Sequence, residues 1–212
     1  MLAAERARMR RSLPLAEALL VLIVTYALAV GFGLPTLWLL VPLAVLTITR
    51  RPFENYGLTW RGAGSVGFHA TTIVAVFVPY ALGHYAWAHW WMGAAFHLRL
   101  PADFPTVVAE QVLLVGLPEE FFFRGYLQTQ CDLVWRKRYR LFGARWGAGL
   151  VFGALTFALC HVPTGGPGRL VVFFPGLFYG WLRARTNTIA VPTLYHAASN
   201  LLMRIMLDSL AT

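Results

Sequence analysis

The stretch TVVAEQVLLVGLPEEFFFRGYLQTQ (Thr106–Gln130) decides the fold. It is longer than the about 20 apolar residues that span a bilayer core as a helix. Yet it holds Glu119, Glu120 and Arg124 within six residues. A charge at the centre of a membrane helix costs about 2.5–3.5 kcal/mol on insertion scales, so three together need a reason, and function is the default one. Working outward, six more apolar segments flank it: Leu13–Gly33, Pro35–Thr49, Ser65–Trp91, Trp146–His161, Leu170–Trp181 and Ile189–Leu207. Turn signals separate them, including Gly31–Pro35 and Gly165–Gly168. Apolar residues make up 58% of the 212 and charged residues 13%, with a mean hydropathy of +0.60. A soluble domain carries about 25% charged residues, so this chain cannot cover a water-facing surface. The expected fold is all-α: a polytopic transmembrane helical bundle of seven to eight segments, with residues 1–212 as a single integral-membrane domain.

The net charge of +9 does not point to nucleic acid, because the basic residues lie in short loops between apolar runs. With the N-terminus in the cytoplasm, the inner loops hold fourteen basic residues and the outer loops only Arg99 and Arg169. That asymmetry orients the chain as a multi-pass membrane protein with a cytoplasmic N-terminus, and its size and composition point to the inner (plasma) membrane of a bacterium. The first segment follows Arg6, Arg8, Arg10 and Arg11 and resembles a signal peptide, but its apolar run is longer than a signal core and reads as an uncleaved anchor. Cys131 and Cys160 form neither a disulfide framework nor a zinc spacing and read as packing thiols.

Helical geometry separates the charged residues. Glu120 and Arg124 are four apart, on one face, where they can form an ion pair. Glu119 is turned about 100° away and lacks a partner on its own helix. Pro118 frees a backbone carbonyl and loosens the helix beside them. Arg204, close to its helix end, reads as a snorkelling residue. Two further pairs at a spacing of four occur in apolar segments: Phe157 with His161, and His196 with Asn200. Pro192, one turn before His196, is expected to kink that helix. A rise of about 1.5 Å per residue puts Glu119, His161 and His196 near the bilayer midplane, around a water-filled cavity.

The ordered set Glu119-Glu120-x-x-x-Arg124, Phe157-x-x-x-His161 and His196-x-x-x-Asn200 resembles the CPBP family of intramembrane glutamic endopeptidases, also called the Abi or CAAX-protease family. The resemblance covers about residues 103–207, a CPBP-like catalytic core, and implies eight membrane segments as in characterised members. It implies that Glu119 and His161 bind and activate the attacking water. His196 and Asn200 would then supply donors to the tetrahedral oxyanion, with Glu120, Arg124 and Phe157 bracing the site. The implied partners are the lipid bilayer and a membrane-associated or C-terminally anchored protein or peptide substrate, with no cofactor and no metal.

Three rival readings remain at this stage. A zinc metallopeptidase would use the same glutamate and histidines, but no H-E-x-x-H is present, and His84 and His89 sit about 140° apart on a helix. A cysteine protease built on Cys160 and His161 suffers from an offset of about 100° between adjacent helical residues. A non-enzymatic scaffold, immunity protein or proton-linked carrier would also hold intramembrane carboxylates and histidines.

Overall fold

The computed structural model describes the backbone of residues 2–210 and the side chains of residues 12–210. The side chains of Arg6, Arg8, Arg10 and Arg11, used above to orient the first segment, lie outside the described residues. Seven helices are present among the described residues. Helix α1 (Leu2–Phe32) turns at Gly33, whose φ of 65° favours glycine, into α2 (Leu37–Ile48). A short 3₁₀ turn, Phe53–Tyr56, leads toward α3 (Val66–Ala86), where the Ser65 hydroxyl accepts the Phe68 N–H at 3.2 Å and caps the helix. The chain from 104 to 134 forms one long helix, α4, with π-helical stretches at Gln111–Gly116 and Phe121–Leu127 on either side of Pro118. Helices α5 (Ala148–Gly165), α6 (Phe173–Thr186) and α7 (Ala190–Asp208) complete the bundle.

Among the described residues three helical stretches are long and apolar enough to cross a bilayer: Ser12–Phe32, Val66–Trp91 and Ala148–Gly165. Helix α2 is apolar but has 12 residues, and α6 has 14. Many large apolar side chains face outward, Leu20, Ile23, Val74 and Leu82 among them, as lipid contact requires. Within α3 only Thr72 is buried, so this helix lies at the margin of the bundle.

The structure differs from the segment reading at three places. Arg138–Leu141 and Ala144–Gly147 pair as an antiparallel hairpin, β1 and β2, turning on Phe142 and Gly143, both at positive φ. Trp146, expected to open a helix, is therefore in a strand, and α5 begins two residues later. The expected segment Leu170–Trp181 is shifted: Pro167–Val172 forms a 3₁₀ turn, and α6 runs to Thr186. Pro192 lies in the first turn of α7, where its missing N–H would have had no intrahelical partner, so it is accommodated without the expected kink.

The core joins α1, α2, α4 and α5. Phe121, Phe122, Phe123 and Tyr126 are buried, and Trp38 packs edge-on against Phe122 with ring centres 4.6 Å apart. One polar knot lies among them. The Glu17 carboxylate accepts two hydrogen bonds from Arg51 at 2.7 and 2.6 Å. It also accepts the Tyr126 hydroxyl at 2.6 Å and the Gln130 amide at 2.7 Å. This forked pairing fastens α1 and the loop after α2 onto α4. The fold gathers the arginine-rich connections at one end of the bundle. There Trp181 donates to the Leu141 carbonyl at 3.2 Å, Arg183 reaches the Asn55 carbonyl at 3.3 Å, and Arg185 lies over the Phe68 ring.

Candidate active site

The π-helical stretches of α4 widen its turn around Pro118, and π turns are frequent where a helix carries functional side chains. From this segment Glu120 points inward and is fully buried. Its Oε1 lies 3.1 Å from Arg124 Nη1 and accepts His196 Nδ1–H at 2.8 Å. The expected ion pair is present, but Glu120 also holds an imidazole from α7. Two groups that stabilise its negative charge thus meet on one oxygen, which offsets the desolvation cost of burial.

Arg124 is 1% exposed. Its Nη2 donates to the Gly176 carbonyl at 3.3 Å, and its guanidinium lies 4.3 Å from the Phe157 ring centre and 5.3 Å from that of Tyr179. Aromatic faces of this kind stabilise a desolvated cation. The close approach of α6 depends on Gly176, where a Cβ would lie 3.3 Å from Ala154 of α5.

Glu119 is oriented differently. Its side chain is 14% exposed, with Oε2 3.8 Å from His196 Nε2. The two adjacent glutamates therefore flank one imidazole, Glu120 at Nδ1 and Glu119 at Nε2. Tyr179 stacks on the His196 ring at 4.9 Å with the planes 15° apart, and the Phe157 ring meets it edge-on at 5.9 Å.

His161, at the end of α5, shares a cavity of about 350 Å³ with Glu119. Tyr26 and Val30 of α1 and Trp38 of α2 wall this cavity. His161 Nδ1 lies 2.8 Å from the Phe157 carbonyl oxygen. A carbonyl only accepts, so Nδ1 carries the proton, and in the neutral ring Nε2 is an acceptor. Cys160 lines the same cavity. Among the described residues no hydrogen bond joins the two, and Cys160 is a free thiol.

Asn200 stands one turn beyond His196. Its Nδ2 donates to Gln111 Oε1 at 2.9 Å, and it does not line the cavity of Glu119 and His161. The structure thus brings Glu119, Glu120, Arg124, Phe157 and His196 into one contact network and sets Glu119 and His161 on one cavity, which neither His196 nor Asn200 lines. Gln111, Tyr179 and Gly176 belong to the same surroundings, and sequence reasoning missed them. Gln111 had a legible signal, an amide in an apolar segment two turns before Pro118. Tyr179 and Gly176 had none without the packing. Among the described residues no three His, Cys, Asp or Glu side chains are grouped as a metal site requires.

The comparisons with known proteins bear on this geometry. Residues 101–202 match the family model described as Rce1-like, type II CAAX prenyl endopeptidase. Neither a curated protein nor a solved structure matches the chain. The matched span contains all three motifs, from α4 to the Asn200 turn of α7, and so residues 101–202 are a domain of the Rce1-like CAAX protease family, whose members are membrane-embedded endopeptidases.

Proposed function

We propose that the protein is a glutamic-type intramembrane endopeptidase acting on a membrane-associated, C-terminally anchored protein or peptide. The observation that carries this reading is the shared cavity of Glu119 and His161, with the His161 Nδ1–H engaged by the Phe157 carbonyl. That arrangement turns Nε2, as an acceptor, and a partly exposed carboxylate toward one space large enough for water and a peptide bond.

In the mechanism, Glu119 accepts a proton from a water that also donates to His161 Nε2. The oxygen of that water attacks the scissile carbonyl carbon, a C–O bond forms, and the carbonyl oxygen becomes an oxyanion. An N–H of His196 at Nε2 and the second amide hydrogen of Asn200 stabilise it, each worth about 10²–10³ in rate. With Nδ1–H committed to Glu120, a donor at Nε2 as well means that His196 acts in this step with both ring nitrogens carrying hydrogen. Collapse of the intermediate breaks the C–N bond, and the proton held by Glu119 passes to the departing amine. Glu120, Arg124 and Phe157 hold His196 and His161 in register.

The gathering of Arg51, Arg138, Arg145 and Arg183 at one end supports a cytoplasmic placement of that end, with the N-terminus inside a bacterial plasma membrane. Residues 103–207 are then the catalytic core within a single domain of 1–212.

The test is cleavage of a fluorescence-quenched peptide with a lipidated C-terminal cysteine motif by protein reconstituted in liposomes. In ¹⁸O water the new C-terminal carboxylate gains one labelled oxygen. Glu119→Gln and His161→Ala are expected to lose about 10²–10⁴ of turnover while remaining folded. Full turnover by Glu119→Gln overturns the reading.

A further inference from the structure

A second polar cavity, of about 250 Å³, lies at the arginine-rich end of the bundle, between the C-terminal part of α4, the β hairpin and the end of α6. Its lining includes Arg124, Arg138, Arg145, Arg183, Gln128 and one carboxylate, Asp132. The charges do not balance. Arg124 is matched by Glu120 at 3.1 Å, and Arg138 by Asp132 at 3.7 Å. Arg145 and Arg183 form no ion pair among the described residues. Arg145 is exposed, but Arg183 is only 6% exposed. Its Nη1 donates to the Asn187 side chain at 2.8 Å and its Nη2 to the Asn55 carbonyl at 3.3 Å, both neutral groups, and its Nε has no partner. The Asp132 carboxylate, already paired with Arg138, offsets only part of the desolvation of this buried cation, and a cavity beside it with a second arginine outside any ion pair favours an anion.

We propose that this cavity binds a phosphate-type oxyanion, carried either by an anionic lipid headgroup or by free phosphate. Guanidinium groups present parallel N–H donors that match phosphate oxygens, and the Gln128 amide and the two asparagines of the lining add neutral polar groups. The cavity lies where helices give way to loops, and basic pockets between membrane helices at that level take lipid headgroups. Asp132 opposes the anion and limits its affinity. Because Arg124 lines this cavity while it pairs with Glu120, the oxyanion rests against the foot of the peptidase site.

The experiment measures binding, so it stands apart from peptidase activity and can be run in the Glu119→Gln background. Full-length protein is placed in nanodiscs of phosphatidylcholine, of phosphatidylcholine with phosphatidylglycerol in equal parts, or of phosphatidylcholine with sodium phosphate titrated at constant ionic strength. Thermal unfolding is followed in each, since a ligand of the folded state raises the midpoint. Stabilisation by phosphatidylglycerol alone assigns the site to a lipid headgroup, and stabilisation by phosphate in phosphatidylcholine assigns it to the free ion. In either case Arg145→Ala and Arg183→Gln are expected to weaken apparent binding at least about tenfold, and Asp132→Asn to strengthen it. Should Arg183→Gln fail to fold, Arg145→Ala and Asp132→Asn carry the test, since Arg145 is exposed and asparagine keeps the acceptor that meets the Gly149 N–H. No stabilisation by either addition, or a stabilisation that these variants leave unchanged, overturns the proposal.

Discussion

Replacing Arg124 by alanine removes a guanidinium that is 1% exposed and leaves a fully buried Glu120 facing it. Breaking a buried pair by deleting one partner costs about 3–5 kcal/mol, mostly the uncompensated charge left behind. Two structural features adjust this figure. His196 Nδ1 remains 2.8 Å from Glu120 Oε1 and keeps part of the compensation, which lowers the cost. The Phe157 and Tyr179 rings lose the cation they pack against, which raises it by about 1 kcal/mol. The two corrections nearly cancel, so about 3–5 kcal/mol is expected. For a chain of this size 1 kcal/mol moves the unfolding midpoint by about 2–4 °C, so Arg124→Ala should unfold about 6–20 °C below the parent in the same detergent. Intrinsic tryptophan fluorescence on heating reads this directly. The double variant Glu120→Leu with Arg124→Met should recover most of the loss, because apolar residues of similar volume often replace a buried pair at little cost. A midpoint for Arg124→Ala within a degree of the parent refutes the structural role of the pair, and loss of turnover in such a stable variant would point to a direct catalytic role instead.

Three further outcomes follow from the geometry. Gln111→Leu removes the acceptor that orients the Asn200 amide, so turnover should fall about tenfold with the unfolding midpoint preserved, and Asn200→Ala should fall further, by about 10²-fold; equal activity of Gln111→Leu and the parent argues against Asn200 as an oxyanion donor. Gly149→Ala places a Cβ 2.5 Å from the Gln128 carbonyl oxygen and 2.6 Å from Asp132 Oδ1, which should cost about 1–3 kcal/mol of stability, and an unshifted midpoint means that α4 and α5 do not cross this closely. With Cys131 and Cys160 replaced, cysteines at Arg138 and Gly166 should react from opposite sides of the membrane in intact cells, and labelling of both by an impermeant reagent overturns the orientation.

The membrane class was legible because bulk hydropathy and loop charge are local properties. So were the Glu120–Arg124 pair and the His161 and His196 turns, which rest on a helical repeat that holds within one segment. The hairpin was not legible: Arg145, Trp146 and Gly147 follow a turn formed by Phe142, an unusual residue at positive φ, and continue into an apolar run. The partner of Asn200 was not legible for a different reason. Sharing a face with His196 fixes its direction from α7 but not its partner, and Gln111 meets it from α4 only through packing. The Glu17 knot was missed because its three partners lie 34 to 113 positions away and are met only through packing.

The division of labour proposed for Glu119 and Glu120 rests on where one imidazole sits. Neighbouring helical residues diverge by about 100°, which on a smooth helix aims two carboxylates at different surroundings. The two nitrogens of His196 also diverge, and its ring stands between the glutamates, held flat against Tyr179. Each carboxylate therefore meets a different nitrogen of the same ring, and their environments, not their sequence positions, separate them. Glu120 is fully buried, with a guanidinium and an N–H on its Oε1, and it does not line the cavity of His161. Glu119 lines that cavity, and its nearest ring nitrogen is His196 Nε2 at 3.8 Å. Each carboxylate keeps an Oε2 without a hydrogen-bond partner, so access to the cavity and freedom from the guanidinium are what suit Glu119 to the role of base and Glu120 to that of brace. On that criterion exchanging the two roles would require moving Arg124 by one position along α4, which would bring its guanidinium beside Glu119 and away from the Phe157 and Tyr179 rings that hold it.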